Sequence, residues 1–143
     1  MYKYLPYGML TMTAIKETSV IQENKSNAFV TCPVTFVMGK IGGYWKPIIL
    51  FSLLTGTKRY SELKRAIPLI TEKVLIQQLK QLEADGLITR KSKPVVPPYV
   101  TYKLSREGRE LKTVLYAMAE WAVNHGGRQA KQFQKQMADF PMD

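Results

Sequence analysis

Between Ile70 and Leu87 the apolar positions keep a helical rhythm, with Leu75, Leu79 and Leu82 at i, i+4 and i+7. Thr71 is placed to accept a backbone N–H as N-cap, and Gly86 suits the left-handed position that closes a helix. At 100° per residue Lys73, Gln77 and Lys80 share roughly the opposite side, two cations and an amide with no carboxylate between them. Solvated helix faces usually mix signs, whereas a Lys/Gln face opened by a threonine suits a DNA major groove.

The flanking pattern gives that helix a context. Pro33 opens a helix with Val34, Val37, Met38 and Ile41 as its apolar face, and Gly42-Gly43 breaks it. Pro47 to Leu54 is apolar nearly all round, as a central core helix is. A short helix near Tyr60 to Ile67 buries Tyr60, Leu63 and Ile67, and Pro68 stops it before the Lys/Gln helix begins. Two short helices joined by a tight turn, the second basic outside, form a helix-turn-helix. Leu87 to Ser92 and Tyr99 to Leu104 alternate as strands do, around the Pro-rich turn Lys93 to Pro98, which predicts a β-hairpin with a basic tip, a wing. Ser105 caps a long helix in which Leu111, Val114, Leu115, Met118, Trp121 and Ala122 recur at three-four spacing up to His125-Gly126. The expected architecture is mainly α with a small antiparallel β-hairpin, an α+β winged helix-turn-helix. Residues 1–30 form an arm, 31–127 the domain, and 128–143 a basic, helical tail.

Charge sharpens this picture. The 143 residues carry 21 Lys+Arg against 11 Asp+Glu, a net +10 that favours a polyanionic partner. From Lys58 to Glu110 there are twelve cations against six acids, so +6 of that excess falls in the winged region. The apolar stripes are all needed for one core, and Ile48 to Leu54 is far too short to span a bilayer, so no membrane partner is expected. A single cysteine, Cys32, and a single histidine, His125, leave no disulfide framework and no metal cluster, and fit a reducing cytoplasm. No phosphate loop, nucleophile elbow or carboxylate–histidine group is present, so no catalytic residue, cofactor or enzymatic activity is expected.

The ordered motifs carry a resemblance. Cys32-Pro33, Gly42-Gly43-Tyr44-Trp45, Arg59-Tyr60-Ser61-Glu62-Leu63, Ile67-Pro68-Leu69-Ile70-Thr71-Glu72-Lys73, Leu79 through Ile88, and Pro97-Pro98-Tyr99 through Ser105 resemble the HxlR family of bacterial transcription regulators over about residues 32–125. The resemblance implies a homodimer that binds pseudo-palindromic double-stranded operator DNA and pairs through its N- and C-terminal elements. By position it makes Thr71 to Ala84 the recognition helix and Arg90 to Lys103 the wing. Some members sense electrophiles or oxidants through a cysteine near the start of the domain, where Cys32 stands; the resemblance names no inducer.

On this reading Lys73, Gln77 and Lys80 reach bases or the groove, Gln77 being able to pair with adenine. Thr71, Ser61, Tyr60 and Arg59 contact phosphates, and Arg90, Lys91, Lys93 and Lys103 act through counterion release. Cys32 is either a sensing thiol or a small, partly buried structural residue. Trp45, Trp121, Tyr44 and Phe51 are core or dimer-interface aromatics. Two alternatives remain: a regulator of the same fold that answers to a small molecule without thiol chemistry, and a winged-helix module for RNA or protein.

Overall fold

The computed structural model describes Glu23 and residues 31–138. Apart from Glu23, the arm expected over 1–30 lies outside the described residues, as do the tail's last five. The chain divides into two compact units, Met1–Lys40 and Ile41–Asp143. The first helix, α1 (Pro33–Ile41), carries the exposed side chains Val34, Phe36 and Met38, so Val34 and Met38 of its expected apolar face are uncovered.

In the second unit, α2 (Trp45–Leu53) sinks Ile49, Leu50 and Leu53 into the core, each 2% exposed or less. It starts two residues before Pro47, because the N–H that proline lacks has no intrahelical acceptor in a first turn. The next element is β1 (Lys58–Arg59), a two-residue strand that alternation does not reveal. It leads directly into α3 (Tyr60–Ala66), whose Leu63 is buried.

The helix-turn-helix is completed by α4 (Glu72–Ala84), which buries Leu75, Leu79 and Leu82 as their spacing predicts. Thr71 Oγ1 accepts the Val74 N–H at 3.3 Å and so caps the first turn. Gly86 takes φ +75°, Leu87 N–H reaches back to Leu82 O at 3.0 Å and Gly86 N–H to Glu83 O at 3.0 Å. This is a Schellman closure, with Leu82 and Leu87 both buried beside it.

The hairpin is β2 (Ile88–Lys93) and β3 (Tyr99–Leu104), antiparallel with Ile88 opposite Leu104 and Lys93 opposite Tyr99. The expected two strands are joined by a third: β1 pairs with β3, Lys58 opposite Tyr102 and Arg59 opposite Thr101, giving the order β1-β3-β2. Paired residues share a face, so Ile88, Tyr102 and Leu104 form the core side, while Thr89, Lys91, Lys103 and Arg59 lie on the other.

The long helix expected from Ser105 to His125 is interrupted, as α5 (Arg106–Glu110) and α6 (Lys112–His125). At the junction Leu111 N–H bonds Gly108 O at 3.2 Å, a tighter i−3 turn. Ser105 holds the start of α5 twice over: its Oγ accepts the Gly108 N–H at 3.0 Å and donates to Gly86 O at 2.6 Å. Of the apolar face foreseen for this segment only Leu115 is buried; Val114, Met118 and Trp121 are exposed. Trp121 and Tyr44, at 64% and 72% exposed, are therefore not core residues, which leaves the dimer-interface alternative for both. A 3-10 turn, Gly127–Gln129, leads to α7 (Ala130–Ala138), which packs on α6. Among the described residues no helix is long and apolar enough to cross a membrane.

Candidate nucleic-acid interface

The outward side of α4 presents Lys73, Gln77 and Lys80, all exposed and within about 60° of arc. Thr71, also exposed, stands at its N-terminus with its hydroxyl engaged by the cap. The side chains buried behind this face, Leu75, Leu79 and Leu82, fix its orientation against the core, so the cations are presented on a rigid element.

Beside α4 runs a cleft of about 610 Å³, bounded by the N-terminus of α3 and the sheet. Arg59, Ser61, Lys80 and Arg90 line it together with Ile76, Pro98 and Val100, and Glu83 is a carboxylate in its wall. Tyr60 also lines it, but its hydroxyl oxygen is buried and has no hydrogen-bond partner. Burial pushes that phenol above its ordinary pKa, with Glu72 and then Tyr102 adding to the effect. Tyr60 thus lines the cleft with its hydroxyl oxygen buried.

Arg59 is held at three points. Its backbone is in β1, its N–H donates to Glu62 Oε2 at 2.6 Å, and its guanidinium lies 3.8 Å over the Tyr99 ring. The Lys93 ammonium approaches the same ring at 5.1 Å. One tyrosine therefore gathers two cations, one from the root of α3 and one from the wing tip. Neither Tyr99 nor Ile76 was singled out by sequence; the available signal for Tyr99 was an aromatic at the strand start between cations.

The wing cations do not form one cluster. Arg90 is opposite Tyr102 and continues the sheet face that turns toward α4, whereas Lys91, Lys93 and Lys103 belong to the opposite face. Arg90, Lys91 and Lys93 are exposed, and Lys103 is half-buried.

In the other unit Cys32 precedes α1, and its carbonyl accepts the Phe36 N–H at 3.0 Å. The thiol is held below its ordinary pKa, first by the Thr35 side-chain hydroxyl, then by the N–H groups of Thr35 and Val34, against a weak opposing effect of burial. Among the described residues no three His, Cys, Asp or Glu side chains gather as a metal site.

Two further features belong to the second unit. Val114, Met118 and Trp121 make an exposed stripe along α6 at i, i+4 and i+7, bordered by Thr113 and Ala117. Between α2, α6 and α7 lies a cavity of about 800 Å³ lined by Phe51, Leu115, Ala119 and Phe133, with Lys58 in its wall.

Comparison with known proteins places this geometry. The HxlR-like helix-turn-helix family profile matches residues 40–130. The HTH-type transcriptional regulator YtcD of Bacillus subtilis (strain 168) is 52% identical over 88 residues, 62% of this chain and 70% of that protein. Among solved structures, the redox regulator HypR in its reduced form is similar with a TM-score of 0.65 at 40% identity, covering 67% of this chain and 95% of that one. The reduced form of the transcriptional regulator YodB from B. subtilis gives a TM-score of 0.59 at 32% identity, covering 66% of this chain and 94% of that one.

Proposed function

The chain belongs to the HxlR-like helix-turn-helix family of transcriptional regulators, and we propose that it binds a pseudo-palindromic operator in double-stranded DNA as a homodimer. The observation that carries this reading is the acid-free Lys73–Gln77–Lys80 face of α4, set beside a cleft edged by Arg59 and Arg90. In it, α4 enters the major groove, and the hairpin lies along the flanking backbone as a wing. The exposed Val114–Met118–Trp121 stripe supports pairing, because an apolar stripe of this kind is what two copies bury against each other. The test is a gel shift on duplexes from the protein's own upstream region, with random DNA and RNA as competitors. Lys73→Ala with Lys80→Ala is expected to abolish retardation without lowering thermal stability. Equal competition by RNA would instead favour an RNA-binding module.

The signal proposed is an electrophile or oxidant acting on Cys32. The lowered thiol pKa supports it, as does the likeness to a redox regulator. With one cysteine per chain, oxidation leads to an intersubunit disulfide or a mixed disulfide with a small thiol, and an electrophile alkylates directly. Mass spectrometry after peroxide or quinone treatment, beside Cys32→Ser in the DNA assay, checks this. An unmodified thiol would leave Cys32 a structural role.

The α2–α6–α7 cavity supports a second reading, response to a small apolar molecule. Lys58 and Arg59 are consecutive in β1, and Lys58 lines the cavity while Arg59 lines the cleft. An occupant of the cavity thus acts on the strand that carries Arg59. Filling it with Ala119→Phe and measuring operator affinity with candidate ligands separates this reading from thiol sensing.

A further inference from the structure

Ile76 is the one large apolar side chain of α4 that stands exposed, at 43%, while Leu75, Leu79 and Leu82 are buried. It lies at the edge of the cationic face, three residues after Lys73 and four before Lys80, one helical turn from each. It also edges the cleft that Arg59 and Arg90 line. Ile76 is flanked by Lys73 and Lys80 toward the Gln77 face and by Glu72 and Glu83 on its other side, so its partner is set by the side that the two lysines share with Gln77. A polyanion is a good match, and in the major groove of DNA the apolar feature on a base edge is the C5-methyl of thymine.

The side chain suits that task mechanically. A β-branched residue in a helix is confined to essentially one χ1 rotamer, so Ile76 presents its methyl groups at a fixed point. It stands in the N-terminal half of α4, the part of a recognition helix that approaches base edges. We propose that Ile76 is a specificity residue that packs against a thymine methyl in the half-site, between bases or phosphates reached by Lys73 and Lys80. The proposal rests on α4 being the helix that enters the major groove. It adds that an apolar contact, as well as hydrogen bonding by Gln77, sets the sequence read.

The test starts by selecting bound duplexes from a randomised pool with the full chain. Each thymine of the selected site is then replaced by deoxyuridine, which removes the C5-methyl and leaves every hydrogen-bonding group in place. At one thymine per half-site, deoxyuridine is expected to weaken binding by about fourfold, the effect of one methyl group returned to water. Ile76→Ala, which removes the contact from both half-sites, should lose about that factor per half-site and become indifferent to deoxyuridine there. Ile76→Val, which keeps the branch at Cβ, should retain the sensitivity and controls for folding. Uniform tolerance of deoxyuridine by the wild type overturns the proposal, as does undiminished sensitivity in Ile76→Ala. A pool that yields no common sequence overturns the operator reading beneath it, a separate result.

Discussion

The guanidinium of Arg59 lies 3.8 Å over the ring of Tyr99, tying the residue before α3 to the first residue of β3. Arg59 is fixed in the backbone by its pairing opposite Thr101 and by the bond from its N–H to Glu62. Tyr99 supplies the remaining constraint, on the long side chain itself. A stacked arginine has already lost much of its rotamer freedom before it meets a phosphate, so less is lost on binding.

Tyr99→Leu should therefore weaken DNA binding about two- to fivefold, as befits a cation–π contact of roughly 0.5–1 kcal/mol at an exposed site. The loss should be smaller on an Arg59→Ala background. A double-mutant cycle by fluorescence anisotropy measures the coupling. Strictly additive losses would show that the stack does not serve binding.

Gly108 makes the opposite kind of demand, on space. A Cβ built there would stand 2.0 Å from Leu87 O and 3.4 Å from Leu104 Cδ2. Gly→Ala inside a helix normally stabilises by up to about 1 kcal/mol. Here overpacking reverses the sign, and Gly108→Ala should cost about 2–3 kcal/mol, read by urea unfolding. Gly86→Ala meets no neighbouring atom, but its φ of +75° predicts a cost of about 1–2 kcal/mol. A stabilised Gly108→Ala variant would contradict the close approach of α5 to the end of α4.

These two contacts also mark where sequence ceases to be legible. The stripe Leu75–Leu79–Leu82, the Thr71 cap and the Gly86 closure could be read because each is a local pattern, complete within a turn or two of helix. The break at Leu111, where its N–H bonds Gly108 O, could not, since the apolar three-four spacing of Leu111, Val114 and Leu115 runs straight on from it. Nor could β1, because two residues carry no period and pair only with a distant strand. Periodicity identified Val114, Met118 and Trp121 as one apolar face but says nothing of what covers a face, and these are exposed. At the site, residue type pointed to the cations, whereas the split of Arg90 from Lys91 and Lys103 needed the register Arg90 opposite Tyr102. The inward turn of the Tyr60 hydroxyl is a matter of tertiary packing, which no local pattern encodes.

That split leads to different expectations for two exposed residues. Lys91, on the outer sheet face, should contact phosphate alone. Lys91→Ala should weaken binding to every sequence alike and lower the slope of log K against log salt by about 0.9 per subunit, about 1.8 for the dimer. Gln77→Ala should leave the slope unchanged and relax the choice of one base pair by roughly 1–3 kcal/mol. Titrations at several salt concentrations, on the selected site and on a scrambled duplex, give both quantities. A changed slope for Gln77→Ala would move that residue from base reading to the backbone.

The Cys32 thiol offers a test by pH. Its folded pKa lies below the ordinary value, with the Thr35 hydroxyl as the largest cause. The hydrogen bonds favour the thiolate, so their stabilisation is present above the unfolded pKa and is lost as pH falls through the folded one. The thiolate is the reacting species, so the rate of alkylation by iodoacetamide should reach half its maximum at a lower pH in the folded chain than in urea. Thr35→Val removes the hydroxyl while keeping the branched shape, and should move the midpoint up toward the unfolded value. The N–H groups of Thr35 and Val34 remain, so the return should be partial. Stopped-flow or mass-spectrometric rates across pH 6 to about 10, bracketing the ordinary thiol value, give the midpoints. Coincident midpoints for folded and unfolded chains would mean that the helix start does not activate Cys32, and a sensing role would then have to rest on access alone.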